Sequence, residues 1–77
     1  MHGVLLRIKR VKTNQIFEVC VDDRMSFKEN LKMLASIIRC DANKSFVYDP
    51  TKRIFLTQDV PIREFFISNF MMLYIFE

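Results

Sequence analysis

Few residues of this sequence have the types and the spacing that catalysis requires. Asp22 and Asp23 are adjacent carboxylates, and neighbours on a strand point to opposite faces, so they suit a loop better than an acid–base pair. Cys20 has no histidine near it, since the sole histidine is His2, and no basic neighbour that would activate it as a nucleophile. There is no glycine-rich phosphate loop and no metal-ligand spacing. The sequence therefore predicts a protein that is not an enzyme, with no catalytic, metal or cofactor site.

A basic cluster offers a different chemistry, the binding of polyanions. It consists of Arg7, Lys9, Arg10 and Lys12, and the net charge of the chain is +3. Together with Tyr48 and Tyr74, the cluster would form a basic, aromatic sheet surface for RNA or other single-stranded nucleic acid. The net charge is small, however, and Glu18 lies close to the same segment, which favours an ordinary solvated strand face. Nucleic-acid binding is therefore the alternative function.

The length and composition of the chain indicate one domain over residues 1–77. Half of the residues are hydrophobic (51%) and eight are Phe, which is enough for a core, while one Gly and two Pro are too few for a disordered chain. Cys20 and Cys40 form no CxxC pair, and we expect both to be reduced. The sequence shows no leader, and its longest apolar run, from Phe65 to Phe76, is interrupted and too short for a bilayer. These features predict a cytoplasmic, soluble protein with no membrane insertion.

The first half of the chain predicts a β-hairpin followed by a helix. "VLLRIKRV" and "IFEVCVD" alternate between apolar and polar residues, and the polar stretch "KTNQ" joins them. In "SFKENLKMLASIIRC" the apolar residues fall at helical spacing instead. Ser26 and Glu29 form a capping box, so we expect the helix to begin at Ser26 and to end near Cys40.

The second half predicts three more strands around one helical turn. "SFVYDP" is a strand closed by a turn at Pro50, "RIFL" is a short strand, and Pro61 begins a helical turn. The final segment, "FMMLYIF", is the most apolar strand, so we expect it at the centre of the sheet with a neighbour on each side. The predicted fold class is α+β, a β-grasp in which a mixed sheet of four to five strands packs on one α-helix and the first and last strands run parallel.

The sequence resembles the ubiquitin-like family over nearly its whole length. The stretch "IFEVCVDDRMSFKENLKML" is similar to that family's second strand, loop and helix start, and Phe46-Val47-Tyr48 is similar to its third strand. The C-terminal half follows the family's apolar spacing at Ile62, Phe65, Ile67, Leu73 and Ile75. This resemblance implies the fold and a binding function, because such core patterns indicate architecture more strongly than activity.

The sequence differs from ubiquitin in its glycines, and this difference narrows the choice of group within the family. Ubiquitin and the sulfur carriers of this fold end in a flexible Gly-Gly, whereas Gly3 is the sole glycine here and Glu77 follows the last strand. We therefore expect neither conjugation nor sulfur carriage. In length, architecture and truncated end the chain resembles the bacterial YukD/EsaB group, which implies a cytoplasmic accessory of a type VII (WXG100) secretion system that acts through binding.

The alternation of the strands predicts a partner-binding face on the side of the sheet away from the helix. If Val4, Leu6 and Ile8 point toward the helix, the outward side chains come from the first, third and last strands. The third strand contributes Phe46 or Tyr48, depending on its register. Exposed apolar, aromatic and basic side chains of this kind mark protein interfaces. Three alternatives stay open: cover by loops, a homodimer, or a register slip. The predicted face consists of Leu5, Arg7, Lys9, Tyr48, Met72, Tyr74 and Phe76, and Met33 with Ile37 on the helix is a second, weaker candidate.

Overall fold

The computed structural model describes residues 3–57 and 59–77, so His2 lies outside the described residues. Within them the elements follow the predicted order of hairpin, helix, two strands, helical turn and last strand. The strands are β1 (Gly3–Arg10), β2 (Gln15–Asp22), β3 (Phe46–Asp49), β4 (Ile54–Phe55) and β5 (Met72–Phe76). The helices are α1 (Phe27–Met33), α2 (Ala35–Ile38) and a 3₁₀ helix (Ile62–Phe65).

The strands form a mixed sheet in the order β2-β1-β5-β3-β4. β1 and β5 are parallel neighbours, whereas β5 is antiparallel to β3, and β1 is antiparallel to β2. The most apolar segment of the chain is therefore the central strand, as its composition predicts. The predicted fold class, an α+β β-grasp with a mixed sheet of four to five strands, is confirmed, and the sheet has five.

The N-terminal hairpin has an uninterrupted register. Every residue of β1 from Gly3 to Arg10 faces one residue of β2, from Asp22 back to Gln15. The turn between the strands is closed by the Thr13 N–H, which donates to the Arg10 carbonyl at 3.2 Å. Asn14 ends this turn with a φ of 60°, a conformation that asparagine tolerates better than most residues.

The helix begins as predicted but is interrupted near its middle. The Ser26 hydroxyl accepts from the Glu29 N–H at 3.2 Å and contacts the Glu29 carboxylate, so the N-cap is formed as the sequence indicates. The predicted single helix to Cys40 is instead two short helices that meet at Leu34, whose carbonyl accepts from the N–H groups of both Ile37 and Ile38 at 2.9 Å. Leu34 has φ −92° and ψ 6°, outside the α-helical region, so a turn bonded from residue 34 to residue 37 separates the two helices.

One face of the sheet packs against the helices to form the core. Leu6 and Ile8 of β1 and Leu73 and Ile75 of β5 are fully buried there, and Phe27 of α1 lies in the same cluster. The inward side of each of these strands is the one that the alternation of the sequence predicts. The buried apolar set is Leu6, Ile8, Val19, Val21, Phe27, Leu31, Ile38, Cys40, Ala42, Val47, Leu56, Ile62, Leu73 and Ile75.

The helices in the described part of the chain are all short. None of them combines the length and the apolar character needed to cross a bilayer.

Candidate partner-binding face

The pairing of the strands fixes which outward side chains lie side by side on the sheet face away from the helices. Lys9 of β1 lies beside Tyr74 of β5, Tyr74 lies beside Tyr48 of β3, and Tyr48 lies beside Phe55 of β4. A second row places Arg7 beside Met72. We call this surface the open face and define it by the outward residues Leu5, Arg7, Lys9, Phe46, Tyr48, Phe55, Met72, Tyr74 and Phe76.

Four aromatic rings pack together at the β3–β4–β5 end of the open face. The ring centroids of Tyr48 and Phe55 are 4.9 Å apart, and those of Tyr48 and Phe76 are 6.1 Å apart. Phe55 also lies 6.2 Å from Phe76 and 6.3 Å from Phe46. Tilted and edge-on arrangements at these distances are attractive, so the rings hold one another in place while their outer faces stay in solvent.

A shallow cleft opens into this aromatic cluster. Phe46, Phe55, Thr57 and Phe76 line it, and its volume is about 600 Å³. Three of the lining residues are large apolar side chains that are markedly exposed, with 53% of Phe46, 54% of Phe55 and 38% of Phe76 accessible. An apolar cleft of this kind can receive an aliphatic or aromatic side chain from another molecule.

The basic half of the open face lies on β1. The Lys9 ammonium stands 5.8 Å from the centroid of the Tyr74 ring, within the range of a cation–π contact. Arg7 lies beside Glu18 of β2 on one side and Met72 on the other. The face thus combines an aromatic end with a basic border.

Arg10 and Arg24, in contrast, are engaged by carboxylates. The Arg10 guanidinium donates to both oxygens of the Glu77 carboxylate and also to the Arg39 carbonyl. The hydrogen bond from Arg10 lowers the pKa of Glu77. Arg24 donates to both oxygens of Asp22, at 3.0 and 2.8 Å. Arg10 is therefore less available to a polyanion than the basic cluster of the sequence suggests.

The structure brings all seven predicted residues to the open face. Leu5, Lys9, Met72 and Tyr74 are half-buried and Arg7 is exposed. The register places Phe46 and Tyr48 together on this face, where the sequence left a choice between them.

Sequence reasoning missed Phe55, which contacts three of the other rings. The alternation of side-chain directions in "RIFL" could have identified it. Leu56 is fully buried, and its neighbour Phe55 therefore points to the opposite side.

The second candidate surface, on the helices, is also exposed. Met33 of α1 and Ile37 of α2 are 58% and 53% accessible. They lie in the two short helices, on either side of the interruption at Leu34.

Cys20 is exposed and Cys40 is buried, and both are free thiols. Residues 3–57 and 59–77 contain no group of three or more His, Cys, Asp or Glu placed to hold a metal ion.

Solved structures of ubiquitin-like domains share this architecture. The UBL domain of yeast Ddi1 superposes with a TM-score of 0.74 at 17% identity, over 97% of this chain and 88% of that one. A ubiquitin-like domain from Arabidopsis thaliana gives 0.75 at 22% identity, over 99% and 78% of the two chains. The C-terminal ubiquitin-like domain of mouse tubulin-specific chaperone e gives 0.71 at 20% identity, over 96% and 84%.

The chain has the ubiquitin-like fold. No protein-family model matches the sequence, and no curated protein matches it significantly. At identities of 22% and below, the likeness to these ubiquitin-like domains concerns the fold and not the ligand.

Proposed function

We propose that this protein is a non-catalytic protein–protein interaction module that binds its partner through the open face. The observation that supports this most is the exposed aromatic cluster of Phe46, Tyr48, Phe55 and Phe76. Aromatic rings that are fixed by their neighbours lose little conformational freedom on binding, which is why they serve as anchors at protein interfaces.

The composition of the open face also fits a protein partner. Tyr, Phe, Met and Arg are enriched at the centres of protein interfaces, and all four types occur here. The cleft beside Thr57 gives one anchor side chain of the partner a place to enter, and the basic border on β1 favours a partner with acidic groups next to that anchor.

Charge substitution on the open face tests the proposal. Tyr74→Glu and Phe55→Glu place a carboxylate at the centre and at the aromatic edge of the face, and each is expected to abolish capture of the partner by the immobilised protein. Ser36→Glu, on the exposed side of α2, is the matched control and should capture the partner as the unmodified protein does.

Circular dichroism and thermal unfolding must first show that each variant is folded. A folded Tyr74→Glu/Met72→Glu double variant that still captures the partner would reject the open face as the binding site.

Nucleic-acid binding remains the second candidate because the Lys9 ammonium lies over the Tyr74 ring, and single-stranded nucleic acid binds surfaces that combine basic side chains with aromatic rings. The engagement of Arg10 by Glu77 argues against it. A salt titration separates the two functions. The affinity for an RNA oligonucleotide should fall steeply with salt, whereas an interface that is mainly apolar should respond weakly.

The narrower proposal is a bacterial, cytoplasmic accessory of a type VII secretion system, like the YukD/EsaB group. Its support is the compact β-grasp architecture. Gene neighbourhood tests this proposal. Genes for WXG100 proteins and an FtsK-like ATPase next to this one would support it, and a neighbourhood without them would reject it while leaving the binding function untouched.

A further inference from the structure

The outer edge of β2 is a second surface with binding capacity, separate from the open face. Within the described residues β2 pairs with β1 on one side and lies at the end of the sheet. The N–H and C=O groups of alternate residues on such an edge point away from the sheet, where a further strand can pair with them.

The hydrogen bonds of the neighbouring strand show which β2 residues these are. The N–H groups of Arg7 and Val11 donate to carbonyls of Met71 and Ile75, so the odd-numbered residues of β1 turn their peptide groups toward β5. Its even-numbered residues must then turn toward β2, where the register places them opposite odd-numbered partners. The even-numbered residues of β2, from Ile16 to Asp22, therefore direct their backbone groups outward.

Asn30 closes one end of this edge. Its side-chain oxygen accepts from the Asp22 N–H at 2.9 Å, and its side-chain nitrogen donates to the Asp22 carbonyl at 3.0 Å. The amide of Asn30 thus occupies the place of a neighbouring strand at Asp22. The edge that is left consists of the outward backbone groups of Ile16, Glu18 and Cys20.

This remaining edge lacks most of the features that prevent strands from pairing. β2 is eight residues long, its register with β1 shows no bulge, and "QIFEVCVD" contains neither proline nor lysine. Ile16 is 55% exposed on it. Glu18 is the charged residue at its centre.

We propose that a second copy of this chain pairs with the β2 edge, antiparallel and with Glu18 opposite Glu18 of the second copy. The three outward residues are evenly spaced about Glu18, so the edge is complementary to itself under a twofold axis at that residue. Ile16 then lies opposite Cys20 of the second copy, and each of the three pairs exchanges both of its N–H···O bonds. A shift of the register by two residues would lose one pair, because it would bring Ile16 opposite Asp22, which Asn30 already occupies.

The side chains are compatible with this register on both faces of the sheet. On the open side, Arg7 lies beside Glu18 in each copy, so the row across the dimer reads Arg7, Glu18, Glu18, Arg7 and has no net charge. On the helix side, the half-buried Phe17 meets Val19 of the second copy and gains cover. The central pair of carboxylates remains repulsive, which makes the association weak and gives it a clear experimental signature.

A charge-swap experiment tests the proposal. Glu18→Lys replaces the central carboxylate by an ammonium, so the variant alone has a like-charge pair just as the unmodified protein does, whereas an equimolar mixture has Glu18 opposite lysine. Sedimentation equilibrium with one fluorescently labelled component measures each association. The mixture should associate at least about threefold more tightly than either protein alone, because a repulsive cross-strand pair becomes attractive.

Glu64→Lys, which makes the same charge change at an exposed position of the 3₁₀ helix, is the matched control and should show no such gain on mixing. Hydrogen exchange supplies a second measurement, in which the amides of Ile16, Glu18 and Cys20 become slower to exchange as protein concentration rises. A mixture no tighter than its components would overturn the proposal. So would concentration-independent exchange at these three amides, and pairing seen only with a strand of another protein would assign the edge to that partner instead.

Discussion

At the scale of single residues, Asn30 links the end of β2 to the start of α1. It is 1% exposed, and its side chain makes hydrogen bonds to both backbone groups of Asp22 and to the Ser26 carbonyl, the last at 2.9 Å. Asn30→Ala would remove these three hydrogen bonds, each with a net contribution of about 1 kcal/mol, so we expect the free energy of unfolding to fall by about 2–3 kcal/mol. Denaturation with urea measures this loss.

Asn43→Ala is the comparison for that measurement, because Asn43 is exposed in the loop before β3. We expect it to change the free energy of unfolding by less than about 0.5 kcal/mol. Equal losses for the two variants would contradict the role of Asn30.

The structural role of Asn30 could not be predicted from the sequence. The strand residues that point into the core could be predicted. Alternation alone assigns Leu6, Ile8, Leu73 and Ile75 to the core, because a strand side chain has only two directions to choose from. A polar residue at helical spacing looks like part of the solvated side. Only the position of Asp22 in three dimensions makes Asn30 a buried hydrogen-bond partner for the backbone at the end of β2.

At the scale of elements, the 3₁₀ helix ends in a strained conformation. Phe66 closes it with φ 54° and ψ 47°, in the left-handed region that a bulky residue rarely adopts, and its side chain is 83% exposed. Asn tolerates this conformation and little packing would be lost, so Phe66→Asn should raise the free energy of unfolding by about 1 kcal/mol. Thermal unfolding measures the change.

Phe46→Asn tests whether such a gain is specific to the left-handed position. Phe46 is also exposed, but it lies in β3 and contacts the Phe55 ring, so its replacement should lower stability. No gain at Phe66, or equal effects at the two sites, would refute the assignment of strain to Phe66.

The elements were predictable in type and order but less so at their ends. The capping box at Ser26 located the start of the helix, because its two partners are only three residues apart in the sequence. The interruption at Leu34 and the later start of the last strand at Met72 depend on how the chain packs. Phe70, which the sequence placed in that strand, instead takes a φ of 66° just before it.

At the scale of the whole molecule, Arg10 joins three distant parts of the chain. Its guanidinium, at the end of β1, donates to the Glu77 carboxylate after β5 and to the Arg39 carbonyl at the end of α2. The same hydrogen bond from Arg10 lowers the pKa of Glu77 below its usual range in the folded protein. A carboxyl whose pKa is lower when folded stabilises the fold at pH values above its unfolded pKa, which is about 4.3 for glutamate.

That stabilisation is lost as the pH falls through the lowered pKa of Glu77. We expect the difference in free energy of unfolding between the unmodified protein and Glu77→Gln to be largest near neutral pH and to shrink below about pH 4. Urea denaturation across this range measures it. A difference that stays constant with pH would show that the carboxylate does not contribute through its charge.

The global architecture followed from one property of the sequence, the concentration of apolar residues in the last segment. Such a strand needs neighbours on both sides, and with one amphipathic helix available the β-grasp satisfies that need. The open face followed only in part. Its β1 and β5 residues come from alternation. The aromatic cluster forms because β4 folds back on β3, and the sequence predicted these two strands and their turn but not the two-residue register between them.

The central claim is that the open face is the surface that a protein partner contacts. Chemical-shift mapping tests it most directly, by titrating the isotope-labelled protein with its captured and purified partner. The account predicts that the largest changes fall on the open-face residues of β1, β3, β4 and β5, with Tyr48, Phe55 and Tyr74 among them. Changes centred on Met33 and Ile37 of the helices, with the aromatic cluster unaffected, would contradict it.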